Sequence, residues 1–313
     1  MTYELEVRKV RQEALRIKSF EFCLRDGGRL PDYAPGSNLT VTLPTGISRT
    51  YSLIDAGSRP EAFRIAVLYR EPSAGGARYM HEKVRVGDVL KAGAPASTFR
   101  ISPGADNHLL IAGGIGITPI LSMARHLHSR GGRFHLHYCA RNRREAAFLD
   151  DLRGSGFSDQ VTFYFSEQGE RIDLDTLVRG YTPGTAVYCC GPAGLMDAVV
   201  AKCAHWPDGT VHLDSFEPLR PKEREEAFRV RLAGSGQEFQ VRPDQSILNA
   251  LREHGIRLSS VCEQGVCGSC LTPVIEGVPD HRDRILTDEE RASNDLIAVC
   301  CSRSSSDLLV LDL

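Results

Sequence analysis

The first hundred residues fall into short apolar or alternating runs at 5–10, 19–24, 38–43, 48–53, 63–69 and 88–92, separated by Gly and Pro clusters such as PDYAPGS, PTG and EPSAGG. Short period-two runs at this spacing predict the strands of an antiparallel barrel or sandwich. Near Ser102 the pattern changes. A strand is predicted at 108–112, and Ile120, Leu121, Ala124 and Leu127 give the segment 119–129 one apolar helical face. Strands at 135–139, 161–165, 186–190 and 211–214 then alternate with helices at 145–153, 174–177 and 194–204. That alternation predicts a doubly wound sheet of parallel strands. A third pattern opens near Ala227, with a hairpin of 228–232 and 238–242 about a GSGQ turn. It continues with a helix at 247–254, C-capped by Gly255, and closes on a strand at 308–313. Between the second and third patterns lies PLRPKEREE, 218–226, which has two prolines, high charge and almost no apolar content. It reads as a linker. The expected organisation is therefore a multidomain α/β chain: a barrel at 1–101, a nucleotide-type α/β domain at 102–217, a linker at 218–226 and a third domain at 227–313.

Composition narrows the function. A chain of 313 residues has room for two or three cores. A net charge of −2 gives no basic footprint for nucleic acid. The opening MTYELEVRKVRQEAL lacks the apolar stretch of a signal peptide, and the most apolar segment, 108–124, is broken by glycines and a proline. No membrane association is expected, and a cytoplasmic location is. Ten cysteines are many for such a chain, and a disulfide framework does not suit that compartment.

The cysteines are not evenly spread. CEQGVCGSC places Cys262, Cys267 and Cys270 in a C-x4-C-x2-C run, and Cys300 follows thirty residues on. This is the plant-type [2Fe–2S] spacing. Iron favours soft thiolates, and a tight loop presents three of them around one cluster. Gly265 and Gly268 let that loop close and aim N–H groups at the sulfurs. A zinc site more often uses two short C-x2-C pairs, and the second pair is missing. The fourth ligand could be Cys300 or its neighbour Cys301; in a strand-like segment only one would face the cluster.

Two further motifs sit at predicted strand ends. GGIGITP, with Gly113, Gly114, Gly116, Thr118 and Pro119, turns from strand to helix. It could bring a pyrophosphate to backbone N–H groups, with Thr118 as N-cap and Pro119 at the first helical position. Cys190, Gly191 and Pro192 end another strand at the same sheet edge, a candidate nicotinamide contact. Arg141, just past a third strand, could meet adenosine ribose or phosphate. In the barrel, RTYS offers Arg49 to a phosphate, Tyr51 to a flavin ring or ribitol, and Ser52 to the flavin N5 edge. Arg49 and Tyr51 would face one side, Thr50 and Ser52 the other. GGAR, with Gly75, Gly76, Ala77 and Arg78, reads as a second phosphate turn.

The order RTYS, GGIGITP, CCGP, CEQGVCGSC and CCSR resembles the phthalate dioxygenase reductase family, close to its vanillate O-demethylase reductases, over essentially the whole chain. The resemblance implies a flavin barrel, a nucleotide domain and a β-grasp plant-type ferredoxin domain. It implies FMN held by Arg49, Thr50, Tyr51 and Ser52, with the backbone of Val67, Leu68 and Tyr69 along the ring and the turn Gly75–Arg78 at the phosphate. Ala77 stands where the family usually has serine. NADH would lie along Gly113, Gly114, Gly116, Thr118 and Pro119, with Cys190, Gly191 and Pro192 beside the nicotinamide and Phe216 against the flavin. No basic pair follows Ser166 and Glu167, which favours NADH over NADPH. The resemblance favours Cys300 as fourth iron ligand. It implies electron transfer from NADH through FMN and the cluster to a Rieske-type oxygenase, with Ser52 and Cys190 nearest the chemistry. A haem monooxygenase as acceptor and a redox-sensing role are the alternatives.

Overall fold

The computed structural model describes residues 2–55, 60–71, 75–97, 99–216, 226–258, 260, 265, 268–283 and 285–313. The chain divides into two units, Met1–Phe216 and Glu217–Leu313.

The first unit opens with a barrel: β1 (Thr2–Ala14), β2 (Ile17–Leu24), β3 (Asn38–Thr42), β4 (Ser48–Ser52), β5 (Phe63–Leu68), α1 (Gly76–Glu82) and β6 (Val89–Gly93). The antiparallel strands run in the order β4-β3-β6-β1-β2-β5. A bridge between Leu53 and Ile65 and a 2.9 Å bond from the Ile54 N–H to the Arg64 carbonyl join the two ends of that order. Leu39 and Val41 on β3, and Phe63, Ile65 and Val67 on β5, alternate into the core. β1 is longer than its apolar run predicts because register shifts at Val7/Lys9 and Gln12/Ala14 let a mostly polar strand keep pairing with β2. The GGAR segment is more than a turn: Gly75, at φ 90°, is the N-cap of α1.

The second half of this unit alternates: β7 (Asn107–Gly113), α2 (Ile117–Ser129), β8 (Arg133–Ala140), α3 (Leu149–Arg153), β9 (Val161–Phe165), α4 (Leu174–Leu177), β10 (Thr185–Cys190), α5 (Ala193–Lys202) and β11 (Val211–Asp214). All five strands are parallel, in the order β11-β10-β7-β8-β9. The chain reverses direction across the sheet between β7 and β10, the place where such sheets bind ligands. The helix expected over 145–153 shrinks to α3. The Asn142 side chain accepts the Glu145 N–H at 3.1 Å, and Phe148 adopts a left-handed φ of 60°. Ala146, Ala147 and Phe148 are then core plugs rather than a helical face.

Barrel and parallel sheet are bolted together by charge. Asp55 accepts from Arg64 Nε and Nη2 at 3.1 and 3.0 Å and also from Arg125 of α2. Asp151 of α3 pairs with Arg64 at 3.6 Å and Arg125 at 3.5 Å. The Ser122 hydroxyl donates to the Asp55 carbonyl at 2.8 Å.

The second unit contains β12 (Phe228–Leu232), β13 (Glu238–Val241), α6 (Ile247–Glu253), β14 (Leu271–Glu276), β15 (Pro279–Asp280), α7 (Asp288–Ser293), β16 (Leu296–Ala298), β17 (Arg303–Ser304) and β18 (Leu308–Leu311). Its main sheet runs β13-β12-β18-β14-β16, with β12 and β18 parallel and the other pairs antiparallel. Ile247, Leu248, Ala250 and Leu251 of α6 cover the core, giving a β-grasp. Ser246 caps α6, and Gly255 leaves it at φ 78°, as its position predicts. The Thr287 and Glu290 capping box starts α7, an element that escapes a reading based on apolar periodicity because none of its residues is buried. Buried Arg303 ties the unit's first residues down, donating to the carbonyls of Gln245 (2.6 Å), Glu226 (3.0 Å) and Arg242 (3.2 Å). Of the expected linker only Glu226 lies among the described residues; 218–225 lie outside them. No described helix is long and apolar enough to cross a membrane.

Candidate functional site

The flavin-type residues gather where β4, the end of β5 and α1 meet. β4 pairs with β3, so Thr50 faces Thr40, their hydroxyls 2.9 Å apart, and the buried Ser52 hydroxyl donates to Asn38 Oδ1 at 3.1 Å. Tyr51 packs on the barrel core, and burial pushes its hydroxyl up to about 12. Arg49 lies over the start of α1: a Cβ on Gly76 would stand 2.9 Å from Arg49 Cγ. The first turn of α1 has no acidic residue, so a guanidinium and free helix N–H groups share one spot. That donor set fits a phosphate monoester. Ala77 packs inward, whereas Arg78 is exposed and turned along the helix to Glu82 at 3.0 Å. Arg78 therefore does not replace the missing serine in this conformation.

The Val67–Tyr69 stretch carries a partner the motifs did not reveal. A ring nitrogen of His81, on α1, bonds the Val67 carbonyl at 2.8 Å, and the His81 ring lies 5.6 Å from that of Tyr69. Burial lowers its pKa and favours the neutral ring. Only the helical conformation of 76–82 brings His81 back onto β5; a plain turn would not.

On the nucleotide side the two glycine motifs touch backbone to backbone. β7 and β10 are neighbours with Ala112 opposite Cys190. A Cβ on Gly116 would fall 2.1 Å from the Cys190 carbonyl oxygen, and one on Gly113 would fall 2.6 Å from Pro192 Cδ. A Cβ on Gly191 would in turn stand 3.0 Å from the Gly113 Cα. Neither motif could approach the other with side chains in place. The expected cap is corrected here. Gly116, not Thr118, is the N-cap of α2, and the buried Thr118 hydroxyl donates back to the Ile115 carbonyl at 3.0 Å. Pro119 stands third rather than first in the helix, where its missing N–H still costs nothing. The 3-10 turn Gly114–Gly116 starts the helix early and displaces both residues by one step or more.

A cavity of about 770 Å³ opens over this edge. Its walls include Leu68 and Arg70 from the barrel and Gly113, Gly114 and Pro192 from the sheet. Arg141, Tyr164, Ser166, Glu170 and Arg171 form its far side. Arg141 pairs with Glu167 at 2.7 Å, and Asn142 donates to the same carboxylate at 2.9 Å. Cys139 also lines the cavity, but burial pushes its thiol up to about 12, so it is no nucleophile. Cys190 is fully buried behind Gly116, and Phe216 packs on the same core. Arg70, Glu170 and Arg171 have no motif around them, and only the fold brings them to the cavity.

In the second unit Cys270 and Cys300 are buried in one cluster of core residues. Gly265 and Gly268 adopt φ of 71° and 72°, the left-handed conformation a tight ligand loop needs. Two buried thiols beside a loop turned by left-handed glycines fit an iron–sulfur cluster. Cys262 and Cys267 lie outside the described residues. Strand alternation, by which only one of Cys300 and Cys301 would face the cluster, does not apply: β16 ends at Ala298, and the N–H groups of Cys301 and Ser302 both return to the Ala298 carbonyl, at 3.2 and 3.0 Å. The pair sits in a turn, where strand alternation has no force.

Residues 230–305 match the 2Fe-2S iron-sulfur cluster binding domain family, and residues 110–201 match the oxidoreductase NAD-binding domain family. The vanillate O-demethylase oxidoreductase of Pseudomonas sp. (strain HR199 / DSM 7063) is 40% identical over 99% of both chains. A solved phthalate dioxygenase reductase, described as a modular structure for electron transfer from pyridine nucleotides to [2Fe-2S], superposes with a TM-score of 0.78 at 38% identity, over 100% of this chain and 98% of that one. The chain belongs to the phthalate dioxygenase reductase family. Like that reductase it is an oxidoreductase whose cofactors are FMN, NADH and a [2Fe–2S] cluster, on a β-barrel, a parallel α/β sheet and a ferredoxin fold. An intact type IV self-sufficient cytochrome P450 monooxygenase also contains a matching region, with a TM-score of 0.82 at 37% identity, over 100% of this chain and 41% of that one.

Proposed function

We propose that this chain is the NADH-dependent reductase component of a Rieske-type oxygenase, an aromatic-ring dioxygenase or O-demethylase. One observation carries the reading: Leu68, from the stretch expected along the flavin ring, and Gly113, Gly114 and Pro192, from the nicotinamide motifs, line one cavity. A hydride donor and its acceptor need such a shared space. When bound, NADH would supply a hydride, FMN would accept the pair and release electrons singly, and the cluster would carry them one at a time.

The chain's own residues bind, orient and exclude water. Arg49 and the α1 N–H groups at Gly75–Arg78 hold the FMN phosphate. Thr50 and Tyr51 fix the ribitol side, and the backbone of Val67–Tyr69, braced by His81, lines the ring. Asn38 Oδ1 accepts the Ser52 hydroxyl hydrogen bond, leaving the Ser52 lone pairs to face a ring-edge N–H. Gly113, Gly114 and Gly116 admit the pyrophosphate to α2, behind Thr118 and Pro119. Arg141 meets the adenosine half. Cys190, Gly191 and Pro192 form the floor beneath the nicotinamide, and Phe216 packs at the flavin. Cys262, Cys267, Cys270 and Cys300 hold the cluster. The functional domains are 1–101, 102–217 and 227–313, with 218–226 as a linker that lets the cluster approach both flavin and acceptor; the division after Phe216 is compatible with this. The reduced thiols the cluster requires suit the cytoplasm.

The test is an absorption spectrum with cofactor extraction, then stopped-flow NADH oxidation with a purified Rieske oxygenase and, separately, a P450 haem domain. Faster electron delivery to the Rieske protein is expected. Faster delivery to haem would favour the second reading, which the full-length match to a P450 fusion supports. Shortening 218–226 should slow cluster reduction; an unchanged rate would remove the linker's role.

A further inference from the structure

No basic pair follows Ser166 and Glu167 in the sequence, yet the fold supplies one in space. Arg141 comes after β8 and Arg171 after β9, and both line the far side of the cavity. In the strand order β10-β7-β8-β9 the nicotinamide motif stands on β10 and the pyrophosphate turn on β7. The adenosine half then runs toward β8 and β9, one or two strand spacings away, roughly 5–10 Å. Two guanidinium groups there would suit the extra phosphate of NADPH. A shortage of cations therefore does not explain the choice of NADH.

Two carboxylates stand beside these cations. Glu167 Oε1 pairs with Arg141 at 2.7 Å, and its other oxygen takes the Asn142 amide at 2.9 Å. The Glu167 N–H also donates to the Arg141 carbonyl at 3.0 Å, so backbone and charge both join the two residues. The pair is exposed and adds little to stability. Its effect falls on Arg141, whose charge is already answered. Glu170 is held differently and lines the cavity itself. Gly169 turns at φ 78°, and the Glu170 N–H returns to the Phe165 carbonyl at 3.2 Å. One Glu170 carboxylate oxygen accepts the Phe165 N–H at 3.2 Å. Among the described residues the other oxygen has no partner, and neither has the Arg171 guanidinium.

We propose that Glu167 and Glu170 set the choice of NADH over NADPH. Glu170 accepts a hydroxyl of the adenosine ribose and meets a 2′-phosphate with like charge. Glu167 is a positioning residue: it occupies Arg141 and keeps that guanidinium from the phosphate. Discrimination comes from an added repulsion and a masked attraction. The proposal rests on the reading above that Arg141 meets the adenosine half, and deepens it by naming the groups that refuse the competitor.

The test uses the full chain as wild type, E167Q, E170Q, E167Q/E170Q and E167Q/R141A. Glutamine keeps the size of each side chain and one accepting oxygen, so Asn142 and the Phe165 N–H keep their partners. Calorimetry reads the binding of ADP-ribose and of 2′-phospho-ADP-ribose, and stopped flow reads flavin reduction by NADH and by NADPH. Wild type should bind ADP-ribose the more tightly. E167Q and E170Q should each shift the affinity ratio toward the phosphorylated ligand by on the order of tenfold, and the double variant by more. Added salt should shrink that shift. E167Q/R141A should lose the gain of E167Q; a gain that survives would overturn the masking of Arg141. A ratio in E167Q/E170Q within about twofold of wild type would overturn the whole proposal. Wild-type protein that binds neither ligand would overturn the nucleotide-site reading itself, a different failure.

Discussion

Two glycine-rich turns serve the first unit, and they use glycine for different reasons. In the nucleotide turn, space decides: Gly116 presses against the Cys190 backbone and Gly113 against the Pro192 ring, where a Cβ would collide with atoms that cannot easily yield. In the barrel turn, conformation decides at Gly75, with φ 90°, and a flexible neighbour decides at Gly76. The clash there is with Arg49 Cγ, part of a side chain that can swing away. The first turn is a joint between two motifs, so damage to it is structural. The second is a resting place for one arginine, so damage to it is chemical. Similar sequence, GG at the head of a helix, therefore hides two mechanisms.

Substitutions can break this contrast. G116A should have the largest effect: NADH-dependent flavin reduction in stopped flow should fall on the order of 100-fold, while bound FMN stays near wild type. FMN loss in parallel would show that the turns are not independent. Next, R49A should weaken FMN binding on the order of 10- to 100-fold, read from released flavin fluorescence, and G76A should weaken it less by pushing the guanidinium aside. If G76A lowers the melting temperature more than it lowers FMN affinity, Gly76 is a packing glycine after all.

A smaller effect separates the modules by pH. Burial pushes His137, on β8, down to about 4 from its ordinary 6.5. Between those values the unfolded chain takes up a proton that the folded chain refuses. Stability therefore falls as pH drops from about 6.5 toward 4, by on the order of 1–2 kcal/mol at pH 5. H137Q should flatten that dependence in chemical denaturation followed from pH 7 to 5; an unaltered slope would assign the loss to other groups. Smallest, G75A forces a left-handed alanine and should cost about 1 kcal/mol with only a few-fold change in FMN affinity.

Much of the fold was legible because apolar period and element type agree over most strands. The parallel sheet announced itself through alternation, and the final hairpin through its turn. Sequence reasoning stumbled where the chain spends apolar residues on something other than a regular face. Ala146, Ala147 and Phe148 look helical and instead plug the core. Thr118 looks like a cap and is already inside the helix, because a 3-10 turn precedes it. α7 has no buried residue, so only its capping box could have disclosed it. At the site, motifs that carry their own backbone logic were readable. His81, Arg70 and Arg171 were not, because their relevance depends on which elements the fold lays side by side.

The charge square of Asp55, Arg64, Arg125 and Asp151 bears on recombination between relatives. Asp55 and Arg64 belong to the barrel half, Arg125 and Asp151 to the sheet half, and each carboxylate is shared by guanidinium groups from both. A crossover near residue 102 cuts through that partnership. Hybrids whose parents disagree at any of the four positions would strand a half-buried charge at the seam, so productive shuffling has to inherit the quartet intact.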